Sequence, residues 1–108
     1  MMTIVTYVTL REGAGPEWDA VMRDRLAAAT ERPGWIGGQL LMPVDGFDRR
    51  VIVGTWQTSA AWEAWHDDPE FTETRGQLEG LEAAPSQHSW HEVVEDVRRP
   101  GTELDAAA

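Results

Sequence analysis

Residues 51–75, VIVGTWQTSAAWEAWHDDPEFTETR, hold the groups best suited to chemistry: Trp56, Trp62 and Trp65, three of the six tryptophans in the chain, and Arg75. Trp62 and Trp65 are three apart, so they share one face of a helix and that face must look inward. Phe71, Arg75, Leu78 and Leu81 recur at helical spacing, which sets a guanidinium among apolar side chains. A cation held in such surroundings can stabilise an anion as it develops on a bound molecule. Alternatively, Arg75 pairs with Glu79 one turn on, or packs its stem and sends its head to solvent. Histidine titrates near neutral pH, so His91 and His88 are the candidate bases. His66, beside Asp67 and Asp68, reads as a surface residue. The three histidines lie on separate elements without the ligand spacing of zinc or iron motifs, so no metal is expected.

Three absences narrow the chemistry further. The chain has no cysteine, which removes disulfides, thiolate catalysis and thiolate ligation of metal or heme. It has no lysine, which removes Schiff-base chemistry, and no asparagine. A net charge of −10 opposes binding to nucleic acid or anionic lipid. No apolar run is long enough to span a bilayer and no signal-peptide pattern opens the chain, so a soluble cytoplasmic protein is expected. Six tryptophans in 108 residues imply core, subunit interface or a flat aromatic pocket.

The elements that must position these groups follow from periodicity. Residues 3–10, TIVTYVTL, alternate Ile4, Thr6, Val8 and Leu10 against Thr3, Val5, Tyr7 and Thr9. Neither face carries a charge, so this strand is covered on both sides. Pro16 begins a helix with Trp18, Val21, Met22, Leu26 and Ala29 inward and Arg23, Arg25, Glu31 and Arg32 solvated. Residues 35–42 form a second strand, loosened at Gly37 and Gly38, and Pro43 argues for an edge position. Asp45-Gly46 marks a hairpin, with Arg49 and Arg50 at its mouth, leading into the buried strand Val51, Ile52, Val53. Thr58 caps the tryptophan helix, while Asp68 and Pro69 start another. Residues 87–94 form the last strand. Residues 1–96 thus make one domain and 97–108 a mobile tail. The order predicts an α+β, ferredoxin-like split β-α-β fold with a four-stranded antiparallel sheet. Helices cover one sheet face, and the bare face predicts a homodimer with sheets face to face.

PGWIGG, the DG loop, VIVGTW, the Ser/Thr helix start and DPEFTETR, in this order, resemble the antibiotic biosynthesis monooxygenase (ABM) family of dimeric α+β barrels. The resemblance covers roughly residues 3–95 and implies a pocket between sheet and helices in each subunit. Among family members that oxidise polyketide phenols to quinones without a cofactor, the strand-ending tryptophan corresponds to Trp56, the helical aromatic residue to Trp62 and the later arginine to Arg75. Their asparagine four residues before the tryptophan is Ile52 here, and their preceding-strand histidine falls near Met42. Among the heme-degrading members, the tryptophan pressing on the porphyrin corresponds to Trp65, but the proximal histidine falls on Arg75 and the first-strand asparagine on Thr6. The resemblance therefore implies an oxidoreductase acting on a small planar phenol or quinol with O₂ and no cofactor. Arg75, Trp56 and His91 would act in catalysis, and Trp62, Trp65, Ile52, Met42 and Phe71 in substrate binding. Heme belongs to the alternative reading, and a non-catalytic binding dimer is the third.

Overall fold

The computed structural model describes residues 1–101. Its elements are β1 (Met2–Thr9), α1 (Gly15–Ala29), β2 (Trp35–Leu41), β3 (Arg49–Trp56), α2 (Ser59–His66), α3 (Pro69–Gly80) and β4 (Gln87–Glu92). All pairings in the sheet are antiparallel, in the order β2-β3-β1-β4. This is the ferredoxin-like arrangement, with the β2 edge that Pro43 signals. The tail expected at 97–108 falls largely outside the described residues.

The alternation of β1 decides which sheet face the helices cover. Ile4, Thr6 and Val8 are buried, whereas Tyr7 and Thr9 point away and are exposed. The buried side chains form two clusters. In one, Val8 and Leu10 meet Trp18 and Met22 of α1 and Leu78 of α3. In the other, Ile4 and Trp56 meet Ala29 of α1, Trp65 of α2 and Phe71 of α3. The helices are set by their caps: Thr58 Oγ1 accepts from the Ala61 amide at 3.1 Å and the Asp68 carboxylate from the Glu70 amide at 2.9 Å. No helix among the described residues is long and apolar enough to cross a membrane.

Several arginines sit where local sequence does not put them. Arg50, expected at the hairpin mouth, is 6% exposed. Its Nε donates to Asp19 at 2.8 Å and its Nη1 to the carbonyls of Phe47 and Arg49, so the guanidinium ties α1 to the β2–β3 loop. Arg32, expected in solvent, donates to Asp68 and Glu70 at 2.8 Å and pins the start of α3 to the end of α1. Arg25 turns inward, because its stripe position continues the line Trp18, Met22 and Ala29. The strand limits shift by one or two residues, with β2 ending at Leu41 rather than Met42 and β3 beginning at Arg49 rather than Val51. Leu10 leaves β1 to make an isolated bridge with Glu82, and β4 ends at Glu92 rather than Val94.

Removing one partner of a buried ion pair leaves the other charge uncompensated. Asp19→Ala should therefore lower unfolding free energy by about 3 kcal/mol. Urea denaturation checks this, with the midpoint falling while the m-value stays constant.

Candidate active site

Between the two buried clusters the helices stand off the sheet and leave a cavity of about 280 Å³. Its sheet side carries Ile4, Thr6, Ile52, Trp56 and His88, and its helical side Arg25, Trp62, Trp65, His66, Phe71 and Arg75. The wall is aromatic because large rings recur on facing elements. Trp35 and Trp56 meet edge to face at 5.2 Å between centroids, as do Trp65 and Phe71 at 5.6 Å.

Phe71 is the meeting point of the charged groups. The Arg25 guanidinium lies 3.8 Å from its ring centroid and that of Arg75 5.3 Å. Arg25 is held there by donating from Nε to Thr74 Oγ1 and from Nη2 to the Phe71 carbonyl, each at 2.8 Å. Burial, then the neighbouring Arg75 charge, lowers its pKa to about 10, so it stays cationic at neutral pH. Among the described residues no carboxylate pairs with Arg75, and the contact with Glu79 offered by helical spacing is not made.

Two histidines reach this cavity, and His91 does not. The His66 ring lies close to Trp62, at 3.9 Å between centroids, and to Phe71, at 4.2 Å, tilted by 50° and 43° to them. Its Nδ1 donates to the Trp62 carbonyl at 2.9 Å. Burial, opposed by that hydrogen bond and reinforced by Arg75, Arg25 and His88, holds its pKa below the ordinary value. His88 shares a 2.9 Å hydrogen bond with Thr6 Oγ1, and burial lowers its pKa as well. Glu82 closes the far side, accepting from Trp18 Nε1 at 3.2 Å, and burial raises its pKa.

The structure thus brings Arg75, Trp56, Trp62, Trp65, Ile52 and Phe71 to one cavity. It leaves out two residues expected there. His91 pairs with Thr3, whose side chain faces away from the helices, and its ring lies beside the Thr3 carbonyl. Met42 follows the last residue of β2 and is 48% exposed. Arg25 and His66 are the residues that sequence reasoning missed. Both had a signal: Arg25 is three residues past Met22 and four before Ala29, and His66 is four past Trp62, so each shares an inward helix face.

A four-stranded antiparallel sheet with an arginine-bearing aromatic cavity beneath three helices defines a small ferredoxin-like α+β domain. The antibiotic biosynthesis monooxygenase family model matches residues 1–77, and the chain belongs to that family. A heme oxygenase (mycobilin-producing) of Mycobacterium tuberculosis is 32% identical over 97 residues, which cover 90% of this chain and 92% of that protein. SnoaB, a cofactor-independent oxygenase from Streptomyces nogalater, superposes with a TM-score of 0.80 at 22% identity over 91% of this chain and 97% of its own. A protein from Nitrosomonas europaea superposes with a TM-score of 0.83 at 15% identity, over 88% of this chain and all of its own.

The lowered His66 pKa makes stability depend on pH with a definite sign. Unfolded imidazole takes up a proton near about pH 6.5, while the folded ring resists it to a lower pH. The unfolded state therefore binds more protons in that window, and stability falls as pH drops from about 6.5 toward the folded pKa. Urea titrations at stepped pH should show this slope, and His66→Gln should reduce it.

Proposed function

We propose that this protein is a cofactor-independent monooxygenase that converts a planar phenol or quinol to a quinone with O₂. The observation that carries the reading is Arg75, with which no carboxylate among the described residues pairs, at a cavity walled by Trp56 and Trp62. An electron-rich phenol needs little from such a site. Aromatic walls align its ring, a guanidinium stabilises the phenolate, and the anion reacts with oxygen. For a phenol with a free para position the balance is complete: one oxygen atom becomes the second quinone carbonyl, and the other leaves as water with both displaced hydrogens. The substrate supplies the electrons, so no external reductant enters.

Heme is the second reading, favoured by the 32% identity to the mycobacterial heme oxygenase. The residues fit it poorly. Ligand cavities commonly run from about 300 to 1,000 Å³, and about 280 Å³ suits two or three fused rings rather than a porphyrin. Arg75 occupies the position at which the family resemblance implies a proximal histidine, and a guanidinium does not ligate iron. Thr6, at the implied asparagine position, is engaged with His88.

A homodimer through the open sheet face accompanies either reading. Val5, Tyr7, Val51 and Val53 crowd the face opposite the helices in adjacent registers, and Tyr7 is 54% exposed in the single chain. Sedimentation should give a dimer at micromolar concentration, and Val53→Glu should dissociate it. A wild-type monomer would rule this interface out.

Oxygen uptake tests the activity. A panel of fused-ring phenols should include one that consumes oxygen without added metal or flavin, and Arg75→Met should slow it about a hundredfold. The same preparation titrated with hemin should give no histidine-ligated Soret band. An unchanged rate in Arg75→Met would make Arg75 a packing residue.

A further inference from the structure

We infer that His66 is the proton acceptor of this cavity, and that the site accordingly takes a phenol whose hydroxyl is acidified by a conjugated carbonyl group. The inference deepens the oxygenase reading by using its substrate class, but it does not depend on the reaction with oxygen.

The argument starts from the tautomer. An amide carbonyl has no proton to give, so the 2.9 Å contact with the Trp62 carbonyl requires the hydrogen on Nδ1. Neutral imidazole then carries its lone pair on Nε2. Among the described residues no buried side-chain nitrogen or oxygen lacks a partner, and Nε2 of His66 makes no hydrogen bond, so this atom is open to a visiting molecule. The ring lines the cavity, and the nearby rings of Trp62 and Phe71 hold its orientation.

The surrounding charges keep the resting ring unprotonated and favour an anion beside it. Arg75 from α3, Arg25 from α1 and His88 from β4 are the groups whose charge bears on His66, and all oppose its protonation. Glu79 and Glu82 also line the cavity and supply negative charge. The resting imidazole is therefore neutral and ready to accept. In the step itself the phenol O–H bond breaks, its electron pair stays on oxygen, and an N–H bond forms at Nε2. A neutral pair becomes phenolate and imidazolium without change in net charge, and the arginines stabilise the product anion. An ordinary phenol, with a pKa of about 10, lies well above imidazole. A carbonyl conjugated with the hydroxyl narrows that gap, which is why the site selects such a phenol.

The experiment uses the intact protein and 6-acetyl-2-naphthol, whose phenol and phenolate forms absorb at different wavelengths. At pH 6.5 the wild type should bind it as the anion, and His66→Gln should bind it with at least tenfold less anion. Nitrogen-15 NMR of the wild type needs no substitution: the His66 Nε2 resonance should move from the lone-pair to the protonated position when the probe binds. An unmoved resonance, or full ionisation in His66→Gln, overturns the inference. Ionisation lost only in His88→Gln also overturns it and names His88 as the base. Ionisation that depends on His66 without oxygen uptake by any phenol supports the inference and removes the oxygenase reading. Oxygen uptake whose pH profile is the same in wild type and His66→Gln does the reverse.

Discussion

One benzene ring holds the site together. Phe71 has the Arg25 guanidinium 3.8 Å from its centroid, that of Arg75 at 5.3 Å, the His66 ring at 4.2 Å and Trp65 at 5.6 Å. The negative face of an aromatic quadrupole attracts cations, each such contact being worth about 0.5–2 kcal/mol. It allows two like charges to share a wall that their repulsion would otherwise open. The ring is itself fixed from behind, because Asp68 caps α3, Pro69 begins it, and Arg32 grips the Asp68 carboxylate from the end of α1. The start of α3 thus determines where every cation of the cavity lies.

The fold was readable because its signals are local and redundant. The β1 alternation, the Thr58 and Asp68 caps and Pro43 after an edge strand each follow from residues next to one another. The site was readable only where an apolar period drew attention. Trp56, Trp62 and Arg75 stand out by type and spacing. Arg25 and His66 did not, because a charged or polar residue on a helix is solvated more often than not, and only partners on another element bring it inward. For Arg25 these are Phe71 and Thr74, and for His66 they include Phe71. His91 misled for a related reason: strand parity separates it from His88, but only the pairing with Thr3 reveals which of them faces the helices.

The cavity is less acidic than the chain as a whole. The chain bears a net charge of −10, whereas the cavity sets the guanidiniums of Arg25 and Arg75 against Glu79 and Glu82. At long range the acidic exterior repels anions, and this repulsion is screened beyond about 10 Å at ordinary salt. Inside, the arginines favour them. On the proposed reading a neutral ligand enters and ionises beside the arginines, so charge develops where it is stabilised.

The irregular pairing at the start of β2 also bears on what this edge of the sheet can accept. β2 is an edge of the sheet, and its register with β3 slips between Trp35 and Gly37. The Trp35 ring lies across Gly38 so closely that a Cβ there would come within 2.7 Å of it. A bent strand with a bulky indole folded over its backbone, followed by proline, makes a poor template for another chain to add to. Open-ended strand addition of the kind that leads to fibres is thereby disfavoured at this edge.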